Sequence, residues 1–173
     1  MKIVVLKFGG TSVGSIDRIK NVAKIVIGYL KKRYKVIVVS SAMSGETNKL
    51  IKLAQKTSNN FISSEYDTLV STGEQISCSL ISGRLNDQGY PARSWLGWQV
   101  PIYTTGKYSH SRIVNINKKN ILKFLKMGGV PIIAGFQGIN SENRITTIGR
   151  GGSDASAIMI AKSFKAKKCI IYT

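Results

Sequence analysis

Two six-residue apolar runs bracket a helical stretch at the start of the chain, and that arrangement leaves few folds open. Residues 2–7 (KIVVLK) and 35–40 (KVIVVS) are dense in valine and isoleucine without polar–apolar alternation. Such runs suit strands buried on both faces of a sheet. Between them Ile19, Val22, Ala23, Val26 and Leu30 recur at spacings of three and four, as on one face of a helix. Strand, helix and strand in that order make a right-handed crossover between parallel strands.

The remainder continues in the same style. Residues 41–48 read as loop, and 49–86 as mostly helical with a break near 57–60. Short strands are expected near 92–94 and 100–104. A helix over 117–127 stops at Gly128-Gly129, a helix-ending signal. Residues 130–134 form another buried strand, 144–147 an edge hairpin segment, 153–164 a helix and 168–172 a strand. There is no internal repeat, low-complexity tract or linker. Residues 1–173, with 43% hydrophobic content, therefore read as a single α/β sandwich domain with enough apolar material for a core.

Composition narrows the function classes. No apolar run reaches the ~18 residues of a membrane span, and residues 1–6 are too short for a signal-peptide core. A soluble, cytoplasmic protein is expected. Cys78 and Cys169 are far apart, no C-x-x-C occurs, and His110 is the one histidine. Neither a disulfide nor a zinc site is expected, but two buried thiols in a reducing compartment. Lys+Arg number 26 against 8 Asp+Glu, a net charge of +18. Such a charge can attract nucleic acid, anionic membrane or anionic substrates. The lysines are spread along the chain, however, and Lys31-Lys32-Arg33, Lys118-Lys119 and Lys167-Lys168 lack interleaved aromatics. They read as solvated faces, and neither nucleic acid nor membrane is an expected partner. Trp95 and Trp98 are expected to pack, and His110 is assigned no role.

Three segments carry chemistry. In Lys7-Phe8-Gly9-Gly10-Thr11-Ser12 a lysine closes a buried strand and two glycines precede a helix. Glycines let backbone N–H groups approach a phosphate, and a helix N-terminus favours the anion. A tight β-α turn would explain the same pattern. In Thr147-Ile148-Gly149-Arg150-Gly151-Gly152-Ser153-Asp154 glycines again precede a helix, with Ser153 or Asp154 placed to cap it. Capping does not explain Arg150 among glycines, where a guanidinium suits capture of a carboxylate or phosphate. In Ser71-Thr72-Gly73-Glu74-Gln75, Glu74 opens a helical run. It either complements the helix dipole or accepts from a substrate ammonium.

Taken together, KFGGTSVGS at 7–15, VVSSAMSGETNKL at 38–50, STGEQIS at 71–77 and GFQGINSENRITTIGRGGSDASA at 135–157 resemble the amino acid kinase family, and the aspartate kinases within it. The resemblance covers essentially the whole chain. It implies a three-layer αβα sandwich with a mainly parallel sheet, incomplete at the C-terminus. The implied reaction moves the γ-phosphoryl group of ATP onto the side-chain carboxylate of L-aspartate, with Mg²⁺. Lys7 and the Gly9-Gly10 backbone would hold and neutralise the ATP phosphates. Ser41 and Thr47 would line the aspartate pocket, Glu74 would accept from the α-ammonium and Arg150 would clamp a carboxylate. Ser153 would contact substrate or phosphate, and Asp154 would orient Lys7 and the phosphates near Mg²⁺. Gly135, Phe136 and Gln137 would lie in a segment lining the site. No protein residue is expected as a dedicated metal ligand.

In aspartate kinases an Asp-rich segment, the rest of the kinase fold and a pair of regulatory domains follow the strand at 168–172. On this reading residues 1–173 alone are expected not to phosphorylate aspartate, and a full-length form is expected to be a homo-oligomer. Two other readings remain open: a basic nucleic-acid-binding module without catalysis, and a truncated relic without activity.

Overall fold

The computed structural model describes residues 1–149 and 151–173. Its central sheet grows around the first apolar run, β1 (Ile3–Phe8), which is buried along its whole length. A chain so enclosed must bond its backbone on both edges. β1 does so by pairing in parallel with β2 (Lys35–Ser40) on one side and with the last strand, β9 (Lys168–Tyr172), on the other. The crossover to β2 is helix α1 (Ile16–Lys31), begun by Ser15, whose hydroxyl accepts from the Arg18 N–H at 3.3 Å. A single 3-10 turn, Thr11–Val13, lies between β1 and that cap.

After β2 come α2 (Glu46–Thr57), α3 (Ser63–Val70) and α4 (Thr72–Asp87), then β3 (Ala92–Trp95). β4 (Ile102–Thr104), β5 (Ile113–Ile116), α5 (Lys119–Lys126), β6 (Val130–Ala134), β7 (Gln137–Ile139), β8 (Ile145–Thr147) and α6 (Gly152–Ser163) complete the order before β9. The five-stranded sheet runs β3-β6-β2-β1-β9, every pair parallel. Among the described residues no helix is long and apolar enough to cross a membrane.

Side-chain alternation along the strands divides the interior in two. Val4, Leu6 and Phe8 of β1 join Val36 and Val38 of β2 on the face covered by α1 and α4. Ile3 and Val5 of β1, with Ile37 and Val39 of β2, face α5, α6 and the small second sheet. Helices on both faces of a mostly parallel sheet give the αβα sandwich that the resemblance implied.

The second sheet, β5-β4-β7-β8, was only partly foreseen. The edge hairpin segment near 144–147 appears as β8, antiparallel to β7. β5 and β7 were not anticipated. They have four and three residues, and the isoleucines that anchor them, Ile113, Ile116 and Ile139, are too few to show a strand pattern in the sequence. Cys78 is buried, but Cys169 is exposed. The expectation of two buried thiols therefore fails at the edge strand β9, which presents one face to solvent. Trp95 packs edge-on to Phe124 at 5.9 Å between ring centroids, whereas Trp98 is 52% exposed.

One buried carboxylate sews the small sheet to the helices. Asp67 of α3 is fully buried and accepts from the Thr147 N–H at 2.6 Å, Thr147 Oγ1 at 2.9 Å, the Ser109 N–H at 2.9 Å and Ser109 Oγ at 3.0 Å. The anion is enclosed, and its donors substitute for water. Asp67→Ala would strand two backbone N–H groups and two hydroxyls, so a loss of about 2–5 kcal/mol is expected. A lowered urea midpoint at unchanged m-value is the measurement; a midpoint within error of the parent would show that the clamp is dispensable.

Candidate active site

The strand order places β1, β2 and β6 side by side, and their carboxyl ends open onto one cleft. Open parallel sheets bind ligands at that end. The cleft measures about 270 Å³ and is lined by Lys7, Ser41, Ala42, Thr47, Glu74, Phe136 and the loop and helix start at Gly149, Gly151, Gly152, Ser153 and Asp154. Segments more than 140 residues apart in sequence thus meet, because β1 is central and α6 packs against it.

Lys7 is the penultimate residue of β1 and is 7% exposed. Its Nζ lies 2.6 Å from Asp154 Oδ1, and the Asp154 side chain is 43% exposed. By distance this is an ion pair, while its direction falls outside hydrogen-bond geometry. A nearly enclosed ammonium needs such a partner to offset lost hydration. The half-open carboxylate leaves the pair reachable by an anionic ligand.

The glycines beside Lys7 have different tasks. The Gly9 N–H donates to Tyr172 O at 2.9 Å, so β9 already holds it. A Cβ on Gly9 would stand 3.4 Å from Lys7 Nζ, and one on Gly10 3.0 Å from Ala42 O. Both positions keep the backbone close to the cleft, and Gly10 is the better placed of the two to donate to a ligand.

At the second glycine loop the sequence expectation needs correction. Helix α6 starts at Gly152, and its N-cap is Gly151 at φ +71°, with no side-chain cap. Ser153 and Asp154 therefore sit inside the first turn instead of capping it. The left-handed glycine admits the chain directly into the helix. The orphan N–H groups of the first turn remain for a ligand, the arrangement that favours anions. Arg150 lies outside the described residues.

Glu74 sits in the first turn of α4 and is 3% exposed. Its Oε1 accepts from the Ala42 N–H at 3.0 Å. Its Oε2 is buried and has no partner among the described residues. Burial pushes the carboxyl up to about 7, against the opposite pull of the Ala42 N–H. The approach of the Ala42 loop to α4 requires glycine at position 73, where a Cβ would come within 2.8 Å of Ala42 Cβ. Ser77 ties the same loop down: its Oγ accepts from Ser40 Oγ at 2.9 Å and donates to Ser41 O at 2.7 Å.

Of the segment 135–137, only Phe136 lines the cleft. It holds φ +67°, an uncommon conformation for a bulky residue. Its N–H donates to Ser156 Oγ at 3.1 Å and its carbonyl accepts from Ile148 N–H at 2.8 Å. Gly135 packs under Ser153, and Gln137 donates to Ser71 O while accepting from Gly97 N–H, so these two support the site from behind. Sequence reading missed Asp67 and Ala42. Asp67 could have been noticed as a carboxylate beside apolar Leu69 and Val70 in a helical run. Ala42 acts through its backbone and left no side-chain signal.

Residues 2–173 match the model of the amino acid kinase family. The chain belongs to the amino acid kinase family. Within that family it is 47% identical over 176 residues to an aspartokinase of Rickettsia felis and 48% identical over 173 residues to one of Geobacillus stearothermophilus. All of this chain is covered in both cases, but only 44% and 42% of the relatives, so it spans under half their length. The crystal structure of aspartate kinase from Synechocystis superposes with a TM-score of 0.83 at 43% identity, covering 98% of this chain and 28% of that one. Escherichia coli aspartokinase III in complex with aspartate and ADP superposes with a TM-score of 0.87 at 26% identity, covering 99% and 49%.

A raised carboxyl in this amino acid kinase chain makes a pH prediction with a definite sign. Between about 4.5 and 7 the folded state holds the Glu74 proton that the unfolded chain has released, so this group's contribution to stability falls as pH rises through that window. Glu74→Gln should remove that slope and gain on the parent from pH 5 to 8. Parallel stability–pH curves for the two proteins would show that Glu74 is not the titrating group.

Proposed function

We propose that the protein carrying this chain is an aspartate kinase, transferring the γ-phosphoryl group of ATP to the β-carboxylate of L-aspartate to give 4-phospho-L-aspartate. The observation that carries this reading is the polarity of the cleft. One wall offers a buried carboxylate oxygen, Glu74 Oε2, that has no partner among the described residues. Another offers a buried ammonium, Lys7, beside an uncapped helix start. An amino acid brings a cation for the first and ATP brings anions for the second. The aspartokinase relatives and the structure of one of them with aspartate and ADP point the same way.

The acceptor carboxylate is ionised at neutral pH, so no general base is required. Catalysis then rests on positioning and on neutralising charge around the transferring group. In this assignment Lys7, the Gly10 N–H and the first turn of α6 hold the phosphates, with Gly9 keeping the backbone close. Ser41 and Thr47 line the amino acid pocket, Glu74 takes the α-ammonium and Arg150 takes a carboxylate. Ser153 contacts substrate or phosphate, and Asp154 keeps Lys7 in place.

Magnesium commonly takes one or two protein carboxylates and completes its shell with phosphate oxygens and water. The half-exposed Asp154 suits that role, and no cluster of three metal-ligating residues occurs among the described residues. When bound, the ion would neutralise charge on the phosphates. A cytoplasmic homo-oligomer supplying lysine, diaminopimelate, threonine and methionine biosynthesis completes the proposal.

The gene product carrying these residues should form aspartyl phosphate from ATP, Mg²⁺ and L-aspartate, trapped as the hydroxamate; no hydroxamate would refute the reading. Lys7→Met should lower kcat by roughly 10²-fold or more with the fold retained. Arg150→Ala should instead raise KM for aspartate about 10-fold or more, a charged hydrogen bond being lost, with KM for ATP less affected. If only the ATP constant moved, Arg150 would belong to the phosphate site.

A further inference from the structure

Outside the cleft, a second concavity of about 750 Å³ lies between β3 and α5. That volume is in the range of small-molecule sites. Asn120, Lys123, Phe124 and Met127 recur at three and four along α5 and line one side. Ile121 and Leu125 of the same helix face the core. Phe124 is partly buried against that core and also lines the groove, while Met127 at the helix end is left exposed. Opposite stand Arg93, Trp95, Trp98 and Gln99. Trp98 is 52% exposed and Met127 73%. These large apolar side chains converge on one groove instead of being scattered over the surface.

Apart from Asn120, whose amide both donates and accepts, the polar groups of the groove are donors. Arg93 and Lys123 are cations, and the Arg93 guanidinium lies 4.2 Å from the Trp95 ring centroid. The Trp95 indole N–H is buried and donates to nothing among the described residues. Gln99 Oε1 is already taken by the Leu96 N–H at 2.9 Å, which leaves its amide hydrogens to donate. No carboxylate balances them nearby in sequence: from Gln88 to Ser141 there is no aspartate or glutamate. A second copy of a chain with net charge +18 would bring repulsion to such a face.

We infer that this groove binds a small aromatic carboxylate. Its ring would stack against Trp98 and Phe124, and its carboxylate would be held by Arg93 and Lys123. Aromatic faces supply the apolar contact, and the two cations supply charge-assisted hydrogen bonds that a neutral analogue cannot make.

The chain's two tryptophans are both in this groove, so in the ¹H–¹⁵N spectrum of the full gene product their indole N–H signals, assigned by Trp→Phe substitution, report on occupancy. Labelled protein would be titrated with biphenyl-4-carboxylate, with neutral biphenyl-4-carboxamide and with cyclohexanecarboxylate. The biphenyl carboxylate is expected to move both indole signals saturably. The carboxamide should bind about tenfold or more weakly, and the non-aromatic acid weakly as well. Lys123→Gln, on an exposed position of α5, should remove most of the preference for the acid while the rest of the spectrum stays put. Arg93→Gln should do the same even if Trp95 reorients. The inference is overturned by indole signals that do not saturate, by equal binding of acid and amide, or by an unchanged preference in both variants. It is equally overturned if the signals move only with protein concentration, which marks a self-association face, or only with an acidic polypeptide such as poly-glutamate, which marks a protein-docking face.

Discussion

Everything in this molecule is organised around the enclosure of β1. A strand with neither edge nor face in water must find backbone partners on both sides and apolar cover above and below. β2 and β9 provide the first. α1 and α4 on one face, with α5 and α6 on the other, provide the second. Because the pairs are parallel, the strands end together, and the loops that leave them converge on one rim. Lys7 is carried to that rim by a backbone that has no freedom to be elsewhere.

The rim combines two electrostatic problems solved differently. Lys7 is nearly buried but has Asp154 at 2.6 Å, so its charge is compensated within the fold. Glu74 is equally enclosed and has one backbone N–H on one oxygen and no partner on the other among the described residues. Burial answers by raising its pKa to about 7. A cation arriving at Oε2 would restore the ionised form. Among the described residues that oxygen is unsatisfied, its natural complement is an ammonium, and such perturbed groups tend to mark functional positions.

The support around the rim comes largely from polar residues with nothing obvious to announce them. Asp67 gathers donors from β8 and from the loop at Ser109, and the same β8 runs on to Gly149 at the cleft. Ser40 and Ser77 fix the loop after β2. Phe136 is held at a left-handed backbone angle by Ser156 and Ile148. A buried carboxylate or hydroxyl is useful here because its bonds are directional, and an apolar contact would let these loops slide.

The sequence by itself determined the long elements and the chemistry of the glycine loops. Continuous Val/Ile runs could only be buried strands, the three-and-four spacing of α1 could only face a sheet, and KFGGTS with GRGGSD carried the family. Each of these signals is local, lying within a few residues of chain. The short strands β5 and β7 escaped because three or four residues carry too little pattern, and their partners lie elsewhere in the sequence. The exposure of Cys169 and Trp98 escaped for a related reason: an apolar residue reads as core until its neighbours are known. Only the tertiary structure decided that α6 begins at Gly151 without a side-chain cap among the described residues, that Gly9 spends its N–H on β9, and that Glu74 keeps one oxygen unpaired among them. Those facts depend on which distant segments touch, and contact between distant segments is fixed by packing, not by local propensity.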